Sequence, residues 1–197
     1  MNYLNTLVIL IFSFTILSCA KKNDSSSSNT TTELEGTWIT SCYATGLNSD
    51  HMIQTVTISG TNFTHKKEVH TDSSCSTDNG TYTDTYTSLS IGDSVTFESG
   101  STGHYFSFAV GSFTYTPTMA SVVSTLNTTA HCGYSNWTIN TSKDYTGKTC
   151  GSTTYSVANT TLLGLYMLVG NNLFTGDFSS SGSYPTSVYT SIPLVKQ

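Results

Sequence analysis

Arginine is absent from the chain: the seven basic residues are all lysine, and twelve acidic residues leave a formal net charge of -5. A polyanion is repelled on average by such a surface, which excludes nucleic acid as the expected partner. Charge of either sign is scarce, at 10% of residues against roughly 25% in ordinary soluble domains. No C-x-x-C pair occurs, and no histidine stands at finger spacing from a cysteine pair, so no zinc-ligand pattern is present. The adjacency of His131 and Cys132 is the nearest approach to one, and neither a metal nor another cofactor is expected. What fills the chain instead is threonine and serine, together roughly a third of it, which is strand and turn chemistry. At 197 residues the chain is long enough for one domain with a real core and too short for two comfortable ones.

The N-terminal segment bears on compartment. Leu7 to Leu17 is an apolar run of about eleven residues, the length of a signal-peptide core and too short to span a bilayer as a helix. It ends in Ile16-Leu17-Ser18-Cys19, which resembles the bacterial lipobox. The resemblance implies cleavage before Cys19, diacylation of its thiol and, in many bacteria, acylation of the new amine. Membrane lipid is then the first partner, held at about 0.8 kcal/mol per buried methylene. Met1 to Asn5 departs from the pattern in carrying no lysine or arginine, and the alternative is an ordinary secretory signal with an incidental cysteine. Ala20, where an aspartate would signal inner-membrane retention, implies the outer membrane. Residues 1–18 are thus expected to be a signal peptide, 19–32 the anchor and a polar tether containing Ser25 to Ser28, and 33–197 the folded domain.

Setting Cys19 aside leaves Cys42, Cys75, Cys132 and Cys150, an even set for an oxidising compartment. Of the three connectivities, Cys42 with Cys75 and Cys132 with Cys150 is preferred, because neighbours along a meandering sheet tend to be neighbours in space. Each bridge is expected to add about 2–4 kcal/mol.

Period-two alternation recurs along the chain: Met52, Val56 and Ile58 against Thr55 and Thr57, then Phe106, Phe108 and Val110, then Phe113 and Tyr115. Further strands are read in NFTHKKEVHTD, GTYTDTYTSLSI, SVTFES, TTYSVA, LLGLYML and LFTGDF, with turns at Ser59-Gly60-Thr61-Asn62, Asp78-Asn79-Gly80 and Gly170-Asn171-Asn172. The segment Pro117 to Leu126 is the one expected helix of the mature chain, with proline near its start. The class is all-β, an antiparallel meander forming a barrel or a sandwich.

Glu33-Leu34-Glu35-Gly36-Thr37-Trp38 resembles the opening of lipocalin-like (calycin) barrels, whose first strand begins G-x-W. The resemblance implies an antiparallel meander closed into a barrel of about eight strands, with Trp38 plugging the closed end. In that family an arginine or lysine of the last strand packs on the tryptophan; here Lys196 alone lies near the end, which leaves open whether Trp38 is more than core. Tyr115-Thr116-Pro117, Leu126-Asn127, Cys132-Gly133, Trp137 and Leu173 to Gly176 resemble a pattern in lipoproteins of predatory and aquatic bacteria, which implies no activity.

Catalytic patterns are weak. Gly133-Tyr134-Ser135-Asn136-Trp137 is the nearest approach to a nucleophile elbow but lacks its final glycine, so a polar loop is expected. His65 and His70, five apart, fall on opposite faces of a regular strand and are expected to face solvent. Asp78, Asp84 and Asp93 lack EF-hand order and are expected to cap turns. Asn-x-Ser/Thr sequons, as at Asn62 and Asn127, follow from composition. Twelve tyrosines suit strand faces and barrel mouths better than an exposed sticky patch. The expected function is non-enzymatic: an anchored barrel binding a small apolar ligand or a protein partner. The alternative is an adhesin-like sandwich with a solid core.

Overall fold

The computed structural model describes residues 32–46, 50–97 and 100–197. The signal segment, Cys19 and the tether up to residue 31 lie outside the described residues. The strands are β1 (Gly36–Ile39), β2 (Tyr43–Ala44), β3 (His51–Ser59), β4 (Asn62–His70), β5 (Asp78–Thr96) and β6 (Thr102–Pro117). After helix α1 (Ala120–Thr128) come β7 (Lys143–Asp144), β8 (Thr149–Cys150), β9 (Thr153–Thr154), β10 (Thr161–Val169), β11 (Asn172–Thr175) and β12 (Leu194–Lys196).

The meander closes. Pairing runs β1, β3, β4, β5, β6, β10, β11, β12 and back to β1, always antiparallel, so eight strands form a closed up-and-down barrel and not a sandwich. Closure removes the open edges that a sheet of this length would otherwise expose. The short β2 extends the pairing along β3, and β7 pairs with the upper half of β6, beyond the part used by β10.

Alternation sets the interior. Val56 and Ile58 of β3, Phe63 of β4, Tyr86 of β5 and Phe106, Phe108 and Val110 of β6 are all buried in one core. Its centre is aromatic: Phe63 stacks on Tyr86 with ring centroids 4.4 Å apart, and Phe108 meets both edge-on at 4.9 Å. Such pairs add about 0.5–1.5 kcal/mol each beyond area burial. Phe178, from the long segment between β11 and β12, reaches in to 4.8 Å from Phe108.

The strands differ from expectation in length. GTYTDTYTSLSI and Ser94 to Thr96 belong to one strand, β5, and YFSFAV and SFTYT to another, β6; their pairing shifts register instead of breaking. Asp78-Asn79-Gly80 is no turn but the start of β5. The chain reverses across residues 71–77, where the Asp72 carboxylate accepts the backbone N–H groups of Ser74, Ser76 and Thr77 at 3.0, 3.2 and 2.7 Å. Of TTYSVA, only Thr153 and Thr154 are strand. The helix begins at Ala120, three residues after Pro117, because Pro117 ends β6. Asn127 ties α1 down: its amide donates to the carbonyl of Trp137 at 3.0 Å and its side-chain oxygen accepts the Trp137 N–H at 2.6 Å.

Both disulfides are as expected. Cys42 bonds Cys75, pinning the 71–77 reversal to the chain before β2, and Cys132 bonds Cys150, closing the excursion after α1.

One barrel end is shut. Leu34 and Trp38 are buried there, and the Trp38 indole N–H donates to the Leu34 carbonyl at 2.8 Å. Glu33 accepts a hydrogen bond from the Tyr166 hydroxyl, and Glu35 accepts the Gly60 N–H at 2.9 Å. The chain therefore enters the barrel at its closed end.

Candidate functional site at the barrel mouth

The opposite end stays open. A cleft of about 420 Å³ lies at the mouth, bounded by β3, β4 and β5 on one side and by the 176–192 segment on the other. Pockets that take small ligands run from about 300 Å³ upward. Below the cleft, and sharing Gln54, His65, Thr175, Phe178 and Leu194 with it, an apolar hollow between Leu34, Ile58, Phe63 and Phe106 has room for only about 40 Å³.

Alternation along two adjacent strands creates the polar wall. In β4, Phe63, His65, Lys67 and Val69 share a face; in β5, Tyr82, Asp84 and Tyr86 do. Register then places Phe63 opposite Tyr86, His65 opposite Asp84, and Lys67 opposite Tyr82. The apolar members of each set stay in the core, and the polar members follow them inward, one turn of the pleat closer to the mouth.

Two linked groups result. Lys67 Nζ donates to Asp84 Oδ2 at 2.6 Å, and the Tyr86 hydroxyl approaches the same oxygen at 3.4 Å. Asp84 is only 3% exposed, and its Oδ1 is buried with no hydrogen-bond partner. An unmet buried acceptor costs about 1–3 kcal/mol. Beside this pair, His65 Nε2 lies 2.6 Å from Gln54 Oε1, and the Gln54 amide donates to the Tyr43 hydroxyl. The amide oxygen is an acceptor, so the proton is assigned to Nε2 and Nδ1 is left as an acceptor.

Electrostatics hold His65 neutral. Burial, and then the nearby Lys67 ammonium, push its pKa from 6.5 down to about 3. Its surface is half-buried because the cleft opens onto it, yet protein encloses the ring elsewhere. Burial also raises the Tyr86 phenol, with the Asp84 charge adding to the effect, and raises Tyr43 against the opposing hydrogen bond from Gln54. These tyrosines are therefore neutral hydrogen-bonding groups. On the far rim, Tyr189 donates its hydroxyl to Asp177 Oδ2 at 2.5 Å.

Three sequence expectations need correction. His65 does not face solvent but the cleft. His70 is 4% exposed, because a bulge between Val69 and His70 breaks the alternation that would have turned it outward; its Nδ1 lies 3.1 Å from Asp78 Oδ1 without the alignment of a hydrogen bond. Asp84 and Asp93 cap no turn: both lie within β5, Asp84 buried inside the barrel, and Asp78 opens the same strand. The other candidates stay apart from the mouth. Ser135 is exposed in the loop between the 131–133 turn and Trp137, and no strand-to-helix turn raises it. His131 does meet Cys132 and Cys150, with ligand atoms within 4.8 Å, but both sulfurs are spent in the disulfide. Trp38 is buried and its indole donates to the Leu34 carbonyl.

Four of the twelve tyrosines, Tyr86, Tyr115, Tyr145 and Tyr166, are buried, while Tyr184 and Tyr189 are exposed. No family model matches the chain, and no curated protein matches it.

Proposed function

We propose that the chain is a membrane-anchored lipoprotein whose barrel binds a small ligand at its mouth without chemically changing it. The observation that carries this reading is the 420 Å³ cleft at the open end, walled by the Lys67 and Asp84 pair and the His65 and Gln54 pair. Eight strands enclose an interior that holds side chains or one small ligand and no more. Aromatic side chains fill the lower interior here, so the space left is at the mouth. Its lining is mixed, which favours an amphipathic ligand over the wholly apolar one suggested by the strand pattern.

The anchor belongs to the same reading. Acylation of Cys19 and a polar tether to residue 32 would hold the domain by its closed end, where Glu33 and Leu34 enter, and leave the mouth unobstructed. An outer-membrane position follows from Ala20 after the cysteine.

Native mass spectrometry of the oxidised domain, residues 33–197, purified from its host tests the binding. An added non-covalent mass, lost on denaturation, is expected. A bare domain mass with both disulfides intact would overturn the reading and favour a solid interaction module, whose contact would be the exposed Tyr184 and Tyr189.

A further inference from the structure

We infer that the ligand of the mouth is an uncharged oligosaccharide, one sugar unit seated in the cleft and the chain continuing past Tyr189. This rests on the ligand-binding reading above and names the class of ligand.

The charges of the cleft disfavour an ionic ligand of either sign. Lys67 and the buried Asp84 neutralise each other at 2.6 Å. An anion would have to draw Lys67 away and leave a buried, unpaired carboxylate, and a cation would meet the lysine with its counter-charge already spent. An uncharged ligand disturbs neither. What the wall keeps open is hydrogen-bonding capacity of both kinds. Lys67, its side chain 27% exposed, gives one N–H to Asp84 and keeps the others. Gln54 gives one amide hydrogen to Tyr43 and takes the His65 Nε2–H, which leaves its second N–H and the His65 Nδ1. Donors and an acceptor thus stand side by side on half-buried residues of the cleft. Adjacent hydroxyls, each able to give and to take, match such a row.

A second hollow, of about 340 Å³, shares Tyr189 and Asp177 with the cleft. Ser179, Ser181, Ser183 and Ser187 supply much of its other wall, together with Tyr184. Tyr189 is 56% exposed, yet it is held in place: its hydroxyl donates to Asp177 Oδ2 at 2.5 Å and its backbone N–H to the Thr175 carbonyl at 3.0 Å. A fixed, exposed ring where two polar hollows meet is a platform for the C–H face of a sugar, which the negative face of the π-system attracts. Asp177 is here a positioning residue for that ring.

Four uncharged tetrasaccharides, cellotetraose, maltotetraose, mannotetraose and N-acetylated chitotetraose, titrated calorimetrically into the disulfide-bonded domain, test the inference. At least one is expected to bind, about tenfold or more tighter than its own disaccharide, because only the longer chain covers both hollows. Deacetylated chitotetraose, a polycation, and tetragalacturonate, a polyanion, should bind least. Tyr189→Ala, at an exposed position, should remove most of the affinity, while Tyr189→Phe, which keeps the ring, should retain binding within several-fold. Silence with all four, equal or tighter binding of either charged chain, or an affinity indifferent to Tyr189→Ala would overturn the inference. A molecule other than a sugar released from the host-purified domain would do the same while leaving the ligand-binding reading intact. A bare host-purified domain that also binds none of the four would remove both.

Discussion

The ammonium of Lys196 stands 5.0 Å from the ring centre of Trp38. The two residues are direct partners across the β12–β1 seam that closes the barrel. Gly36 lies beside the lysine stem, in a backbone conformation with φ of +116° that other residues avoid. A single lysine, in a chain without arginine, thus lies on the tryptophan. Trp38 is 1% exposed and its indole is hydrogen-bonded, so Trp38→Ala should cost about 3–5 kcal/mol. The exposed Lys196→Met should cost under about 1 kcal/mol, the scale of a solvated cation–π contact. Urea unfolding of both variants checks this, and a lysine change as costly as the tryptophan one would assign the seam to the cation.

The Lys67 and Asp84 pair should behave as a buried unit. Lys67→Met leaves a carboxylate that is 3% exposed without its partner, and should destabilise the fold by about 3–5 kcal/mol. Replacing both, as Lys67→Met with Asp84→Leu, should recover most of that loss, since an apolar pair need not be desolvated as ions. Chemical denaturation of the single and double variants decides it: additive losses would mean the two side chains are not coupled. The double variant should also lose ligand, which distinguishes a pair kept for binding from one kept for stability.

The alternation that identified Val56, Ile58, Phe106 and Phe108 as core applies equally to Phe63, His65 and Lys67, and to Tyr82, Asp84 and Tyr86. A charged residue flanked at two-residue spacing by aromatics on one face was the available signal. The general preference of Asp and His for solvent points the other way. The disulfides and the Trp38 end were legible because each depends on residues whose chemistry leaves few options. The 71–77 reversal was not, since it is set by a long-range disulfide and one carboxylate. Asp78-Asn79-Gly80 has hairpin composition, yet Gly80 serves a packing need: a Cβ there would fall 2.2 Å from the Tyr115 hydroxyl. His70 turns inward through a bulge, which alternation alone does not foresee.

Stability should fall with acid in a way that His65 controls. Its pKa drops from 6.5 to about 3 on folding, mainly through burial, so between those values the unfolded chain binds the proton and the folded one does not. The stabilisation is full above pH 6.5 and is lost as pH falls toward 3, at up to about 1.4 kcal/mol per pH unit. Substituting His65→Gln removes this group's contribution, so the variant should show a visibly flatter dependence between pH 6.5 and 4. Urea midpoints for the two proteins across that range provide the measurement. Parallel curves would show that the imidazole is accessible to protons in the fold.

Anchoring is separable from folding. If Cys19 carries the acyl chains, Cys19→Ser in the full chain should leave the barrel and both disulfides intact while moving the protein from the membrane fraction to the soluble one. Loss of incorporated radiolabelled fatty acid should accompany the move. Two or more buried chains, at about 0.8 kcal/mol per methylene, make attachment effectively permanent, so the shift should be nearly complete and not partial. Wild-type protein found soluble and unlabelled would mean an ordinary secretory signal with an incidental cysteine. The barrel would then be a freely diffusing binder, for which the chain's entry at the closed end, away from the cleft, would carry no meaning for orientation.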